Sequence, residues 1–128
     1  MREFYTITEL TREFGVSTRT LRFYEDENLI KPVRRGRTRL YRPADRELLK
    51  QILRGKRLGF SIAEIREIIE MYKAPLGAET QMKALIEKIG AKREQLEQKK
   101  LDIEETMREL DGAEENCFER LAELRVSQ

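Results

Sequence analysis

Apolar positions in residues 6–26 recur with helical spacing on both sides of a short turn. Thr6 and Glu9 have the spacing of a capping box, which predicts the start of a first helix that ends at Gly15. Ser17 is a good N-cap for a second helix, which continues to the end of this range. Two short helices joined by a tight turn containing Gly predict a helix-turn-helix.

The helical period is lost in the next segment, where Pro32 interrupts the chain. Residues 33–42 instead predict a small β-hairpin that turns near Gly36. Alternation along its second strand puts Arg39 and Tyr41 on the same face, which we expect to be the outer face of a wing.

Two further helices complete the first domain. Pro43 is suited to the first turn of a third helix, and Ser61 with Glu64 forms the capping box of a fourth. The Pro- and Gly-containing residues 74–78 must break the fourth helix. We therefore predict a winged helix-turn-helix domain over residues 1–73, followed by a linker.

Residues 79–111 predict a long helix with an apolar seam of heptad spacing. Such a helix is not expected to be stable alone, because its apolar stripe needs cover, so a second copy of the chain is implied. Lys92 and Lys99 make part of the seam polar and are predicted to pair with glutamates of the partner helix. The predicted dimerisation residues are Met82, Leu85, Ile89, Leu96, Ile103 and Leu110.

Gly112 allows a bend, and residues 112–128 are predicted to form a short final helix that packs back or holds an effector. The expected fold class is therefore mainly α. It comprises a winged helix-turn-helix head with a small β-hairpin wing, a long dimerisation helix and a short C-terminal helix.

Composition narrows the class of protein. No apolar run approaches the roughly 20 residues that span a bilayer, and the first ten residues lack the pattern of a signal peptide, so a cytoplasmic protein without a membrane partner is expected. The sequence has one cysteine and no histidine. With no nucleophile–base pair and no phosphate-binding glycine loop, an enzyme is not expected.

The two halves of the chain carry opposite charge. Residues 1–60 hold 15 Lys or Arg and 8 Asp or Glu, a net charge of +7, whereas residues 61–128 hold 11 and 16, a net charge of −5. Residues 31–42 alone contain six basic residues and no acidic one. This distribution predicts a head that binds a polyanion and an acidic helical tail.

The second helix offers the best candidates for DNA contact. Arg19, Arg22 and Phe23 share a face opposite to the predicted core, where they are suited to the major groove. Thr18, near the helix start, is a candidate for a phosphate, while the Tyr24 ring is expected nearer the core. The alternative interpretation is that the arginines form a solvated face and that a neighbouring helix covers Phe23.

Other basic residues extend this surface. Arg39 and Tyr41 of the wing are candidates for phosphate and minor-groove contacts. Lys56 and Arg57, at the end of the third helix, either make a second wing contact or complement the helix dipole.

Several spaced motifs together resemble the MerR family of transcriptional regulators. They are Thr6-Ile7-Thr8-Glu9-Leu10, Gly15-Val16-Ser17, Arg19-Thr20-Leu21-Arg22-Phe23-Tyr24-Glu25, Leu29-Ile30-Lys31-Pro32, Arg39-Leu40-Tyr41 and Leu58-Gly59-Phe60. The resemblance implies an antiparallel coiled coil over the long helix and a homodimer on pseudo-palindromic, double-stranded promoter DNA. It also implies that the DNA is distorted and that RNA polymerase binds the same promoter.

The resemblance also implies DNA contacts at the positions that match the family's contact residues, in addition to the candidates identified from the sequence pattern. The candidate DNA-binding residues are Ser17, Thr18, Arg19, Arg22, Phe23, Tyr24, Arg37, Arg39, Tyr41, Lys56 and Arg57.

Residues 22–26 and 52–60 are further similar to the Liu-type regulators of branched-chain amino acid and acyl-CoA catabolism. That similarity implies catabolic target genes and an acyl-CoA effector, with no required cofactor. Metal-sensing members of the family use a pair of cysteines, so the single Cys117 favours a structural role over a metal site. The competing hypothesis is a coiled-coil adaptor whose basic head binds RNA or a protein.

Overall fold

The structure is a computed structural model that describes residues 3–127, and the chain divides between Leu76 and Gly77 into two units. Residues 1, 2 and 128, which complete the predicted head and tail, lie outside the described residues.

Side-chain caps fix the first two helices of the head. In α1 (Ile7–Phe14), the Thr6 hydroxyl accepts from the Glu9 amide at 3.1 Å, and the Thr6 amide donates to the Glu9 carboxylate at 3.2 Å. Gly15 ends this helix with a left-handed φ of 65°, a conformation that is costly for other residues. Ser17 then caps α2 (Thr18–Asp26). The predicted helix-turn-helix is confirmed.

A small antiparallel sheet follows, and it has one more strand than the sequence predicted. β2 (Val33–Arg35) and β3 (Thr38–Tyr41) form the expected hairpin, which turns at Gly36. The missed strand β1 (Tyr5–Thr6) pairs with the other edge of β3, so the strand order is β1-β3-β2. β3 is therefore the central strand.

The remaining two helices of the head are α3 (Pro43–Arg57) and α4 (Ile62–Lys73). Gly55 lies where they approach most closely, since a Cβ atom built on it would lie only 3.0 Å from Cγ1 of Ile65. The missing side chain thus permits the packing of α4 against α3.

One hydrophobic core joins the helices and the sheet. Its buried residues are Leu10, Leu21, Tyr24, Leu29, Ile30, Tyr41, Leu49, Ile52, Phe60 and Ile65.

Two ion pairs connect helices at the rim of this core. Nε of Arg46 in α3 donates to Glu13 of α1 at 2.9 Å, and this hydrogen bond lowers the pKa of Glu13. On another side, Nη2 of Arg66 in α4 donates to both the carboxylate and the backbone carbonyl of Glu27, each at 2.8 Å. The end of α2 is thereby tied to α4.

The second unit corrects the predicted C-terminal architecture. α5 is one helix of 49 residues, Ala78–Val126, which is unbroken at Gly112 and takes the place of the predicted separate final helix. A glycine inside a helix costs about 1 kcal/mol relative to alanine, which is too little to end a helix flanked by good helix formers. The helix also begins at Ala78, one residue inside the predicted linker.

The apolar side chains of α5 are largely open to solvent in the single chain. Met82, Ile89, Leu96, Ile103 and Leu110 are each between 42% and 63% exposed. No helix within residues 3–127 combines the length and the hydropathy that a membrane crossing requires.

The continuity of α5 is testable with Gly112→Ala. Gly112 has helical neighbours on both sides and, apart from the backbone of its own helix, no atom within 4 Å of the place that a Cβ would take. The substitution should therefore stabilise the helix by about 1 kcal/mol. Thermal unfolding followed by circular dichroism measures this as a higher midpoint.

The control for this substitution is Gly59→Ala. It should lower the midpoint, because Gly59 has a φ of 91° that alanine does not readily adopt. A lower midpoint for Gly112→Ala as well would indicate a bend in α5.

Candidate nucleic-acid interface

The exposed face of α2 carries the predicted groove-reading side chains. Arg19 and Arg22 are exposed, and Phe23 is 46% exposed although it is a large apolar residue. Leu21 is fully buried on the opposite face and anchors the helix in the core. The fold therefore presents two cations and an aromatic ring together, as the spacing predicted.

The start of α2 is also open to solvent. Ser17 is exposed, and its hydroxyl is the predicted N-cap, which accepts from the Thr20 amide at 3.1 Å. Thr18 is exposed one residue further on. An exposed helix N-terminus with hydroxyl groups is suited to a phosphate.

The predicted orientation of the wing's second strand is wrong. Tyr41 has no exposed surface and belongs to the core, so it does not lie on an outer face. The reason is long-range packing: the face of β3 that carries Tyr41 lies in the same core as Leu10 of α1 and Leu49 of α3. β1 covers the edge of β3 and places Tyr5 opposite Tyr41. Strand alternation defines two faces but does not say which of them is buried.

Tyr24 is buried as well, with 5% of its surface exposed. This agrees with its expected position near the core, and burial raises the pKa of its phenol. Its ring lies 5.8 Å from that of Phe23 in a tilted arrangement. The Tyr24 ring therefore packs beside the Phe23 ring and is too deeply buried to contact a ligand itself.

Glu25 joins α2 to the wing, a role that the sequence pattern did not reveal. Its Oε1 accepts from the Tyr41 hydroxyl at 2.5 Å, and its Oε2 accepts from Nε of Arg39 at 3.1 Å. We call Glu25, Arg39 and Tyr41 the Glu25 cluster. Burial, reinforced by the hydrogen bond to Glu25, raises the pKa of Tyr41, so this phenol remains a donor at physiological pH. An acidic residue close to a basic segment was the available signal.

Arg39 is consequently part of the internal structure and only partly at the surface. Its side chain is 22% exposed, against 10% for Glu25. Arg37, in the hairpin turn, is exposed, as are Arg34 and Arg35 of β2. The guanidinium of Arg35 also lies 4.8 Å from the centre of the Phe4 ring. The wing thus presents most of its cations to solvent.

Lys56 and Arg57 are exposed in the last turn of α3. They lie in the same unit as α2 and the wing, so all the predicted DNA-binding residues belong to the head. Both also complement the dipole of α3 at its C-terminal end, and this second role does not exclude contact with a phosphate.

The predicted dimerisation residues all lie on α5. Leu85 is half-buried, and the other members of the seam are exposed. The seam also continues beyond its predicted end, since Cys117 and Leu124 follow Leu110 at the same seven-residue spacing in an unbroken helix.

Cys117 is a free, exposed thiol in the single chain. Among residues 3–127, no three His, Cys, Asp or Glu side chains are grouped so that they would hold a metal ion.

A helix-turn-helix with a basic wing, an exposed Arg and Phe face and a long helix defines a DNA-binding regulator. The sequence matches the profile of the MerR HTH family regulatory proteins over residues 5–72, and a second profile, described as MerR, DNA binding, over residues 46–113. The chain belongs to the MerR family of transcriptional regulators, which are not enzymes.

Individual relatives agree with this assignment. Heavy metal-dependent transcription regulator 2 of Rhizobium meliloti (strain 1021) is 32% identical over 114 residues, which are 87% of this chain and 75% of the relative. The crystal structure of a MerR family regulator from Bacillus cereus is similar with a TM-score of 0.70 and 29% identity, covering 84% of this chain and 78% of that one.

A third comparison concerns the fold alone. HiNmlR, described as a MerR family regulator lacking the sensor domain and crystallised bound to promoter DNA, matches with a TM-score of 0.58. The match has 23% identity and covers 79% of each chain.

Proposed function

We propose that this MerR-type regulator binds a pseudo-palindromic promoter site as a homodimer and changes transcription by distorting the DNA. The observation that carries this proposal is the exposed face of α2, with Arg19, Arg22 and Phe23 directly after a tight turn. Arginine reaches guanine edges and phosphates in the major groove, and the phenylalanine ring contacts thymine methyl groups or sugars. Family membership favours DNA over the adaptor hypothesis, in which the basic head binds RNA or a protein.

The wing and the end of α3 add contacts to the DNA phosphates on either side of the major groove that α2 enters. Arg37, Lys56 and Arg57 are exposed, and each phosphate neutralised by such a cation releases counterions. These contacts set the register of the protein on the duplex, while α2 reads the bases. Two heads of one dimer then bind half-sites one helical turn apart, about 34–36 Å, or a multiple of that distance.

Arg22→Ala tests the role of α2. Loss of an arginine that contacts a base should weaken binding by about 5- to 150-fold for each half-site, which corresponds to roughly 1–3 kcal/mol per head, and should relax sequence preference at one position of each half-site. The measurement is fluorescence anisotropy with a duplex from the gene's own upstream region, over a salt series.

Arg108→Ala is the matched control, because Arg108 is an exposed arginine of α5 and the charge change is the same. It should bind as the unchanged protein does. If Arg22→Ala binds the promoter as tightly as Arg108→Ala, α2 does not read the DNA.

The exposed seam of α5 supports the homodimer. A helix of 49 residues with a row of exposed apolar side chains is stabilised when a second such helix covers that row. Residues 78–100 have 6 basic and 4 acidic side chains, a net charge of +2, whereas residues 101–126 have 3 and 9, a net charge of −6. Antiparallel pairing places the basic part of one helix beside the acidic part of the other, so this charge distribution favours it over parallel pairing.

Dimerisation through the seam predicts a clear difference between two sets of variants. Leu96→Lys combined with Leu110→Lys should give a monomer at micromolar concentration, because both charges would be buried between the helices. Leu101→Lys is the control, since Leu101 is 55% exposed but lies on the side of α5 away from the seam. Sedimentation velocity measures the mass. A dimer in all three proteins would place the interface elsewhere, and a monomeric unchanged protein would contradict the homodimer.

Distortion of the DNA explains how one dimer changes transcription. The family resemblance implies promoter elements whose spacing is too long, which RNA polymerase uses well only after the duplex is bent and untwisted. The cost of such deformation depends on the sequence, so part of the specificity lies at base pairs that the protein does not touch.

The effector proposal follows from the resemblance to the Liu-type regulators. We propose that an acyl-CoA of branched-chain amino acid catabolism controls binding to the promoters of degradation genes. The Rhizobium relative is named for heavy metals, but with no histidine and one cysteine per chain, this sequence offers few of the ligands that soft metals prefer.

Titration of the dimer with promoter DNA separates the two classes of effector. A branched-chain acyl-CoA should change the affinity for DNA at least about fivefold, with free CoA as the control, whereas Zn²⁺ or Pb²⁺ should not. A response to the metal ions alone would reject the acyl-CoA proposal in favour of metal sensing.

A further inference from the structure

The side chain of Glu25 contacts two residues of β3 that differ in their exposure to solvent. Its two carboxylate oxygens accept from different groups of β3, the Tyr41 hydroxyl and the Arg39 Nε–H, at 2.5 and 3.1 Å. Tyr41 is wholly buried, whereas the Arg39 side chain keeps 22% of its surface exposed. The carboxylate therefore holds one buried group and one group at the protein surface.

Only the Nε–H of Arg39 is used in this contact. Within residues 3–127, Glu25 is the one hydrogen-bonding partner of the Arg39 side chain, so the two terminal NH₂ groups keep their donors. A guanidinium is rigid and planar, and fixing its Nε–H fixes the direction in which the remaining donors point. Terminal NH₂ groups held in this way are suited to a phosphate oxygen.

Charge supports the same interpretation. The wing segment, residues 31–42, is basic and contains no carboxylate of its own. The carboxylate that contacts it is that of Glu25, which belongs to α2. An unpaired carboxylate here would repel the phosphates that the wing is proposed to contact. The ion pair with Arg39 neutralises the Glu25 carboxylate, so the exposed cations of the wing still attract the phosphates.

We infer that Glu25 is a positioning residue for DNA binding, which orients Arg39 so that its terminal NH₂ groups donate to a backbone phosphate. Glu25 itself makes no contact with the DNA. The inference rests on the proposed function of the head, and it adds that the geometry of the wing relative to α2 is set through this side chain.

The test compares the salt dependence of promoter binding for Arg39→Ala and Glu25→Ala in the full-length protein. Each lost phosphate contact lowers the slope of log K against log salt concentration by about one. Because the proposed homodimer loses one contact in each head, the slope should fall by about two. Both variants should show this decrease, and the double variant should show no more than either single one, because the two residues act as one unit.

Two controls separate positioning from stability and from general charge. Tyr41→Phe removes the other hydrogen bond of Glu25 but leaves Arg39 in place, so it should lower the thermal midpoint and keep the slope. Glu27→Ala removes the same charge near the same end of α2, where Glu27 pairs with Arg66 of α4, and should also keep the slope. If Glu25→Ala does not fold, Glu25→Met, which keeps a side chain of similar length but has no oxygen that accepts from Arg39, takes its place.

The outcomes are distinct. An unchanged slope in the Glu25 variant beside a reduced slope in Arg39→Ala overturns the positioning role, and an unchanged slope in both overturns the phosphate contact. A slope lowered equally by Tyr41→Phe also overturns the inference, since the effect would then be general loosening of the wing. If the unchanged protein fails to bind the promoter at all, the proposed function fails, and not this inference alone.

Discussion

The contact of Glu25 with β3 links the helix and the wing that carry the proposed DNA-binding surface. α2 and the wing are separated in sequence by a loop around Pro32, and the buried Tyr41 hydroxyl must find an acceptor because an unmade hydrogen bond in the core is costly. Glu25, in the last turn of α2, supplies that acceptor. The helix that presents the arginines and the hairpin that presents the basic turn are thus joined by hydrogen bonds of Glu25 as well as by the hydrophobic core.

Local signals in the sequence predicted the helices well. Thr6 with Glu9 and Ser61 with Glu64 satisfy amide groups only three residues away, so both capping boxes could be recognised without knowing the fold. Pairing of β1 with β3 joins residues more than thirty positions apart, and two residues of strand carry no pattern of their own. The packing of α1 on β3 is long-range as well, and with α3 it buries the face that carries Tyr41. The assignments of Tyr41 and Arg39 to an outer surface failed for this reason.

In the candidate interface, too, local patterns predicted residues correctly and long-range contacts were missed. Arg19, Arg22 and Phe23 were identified because a helical wheel separates them from Leu21, and burial of Leu21 is enough to place all three. Side chains whose function depends on a partner from another element were not identifiable in this way. Glu25 lies next to the buried Tyr24 in sequence and resembles an ordinary surface glutamate, and only its distance to β3 reveals its contacts.

The two units differ in how much apolar surface they bury within the single chain. The head buries ten apolar residues in a core of its own, whereas α5 buries none within the single chain and leaves its seam exposed. Hydrogen bonds within a helix do not compensate for a long exposed apolar stripe, so the stability of α5 depends on what covers it. In the proposed homodimer, pairing of the two α5 helices would set the distance between the two heads, while the core of each head holds its own surface residues in place. A change in that pairing would then alter the spacing of the two proposed DNA contacts, as the proposed distortion of the promoter requires.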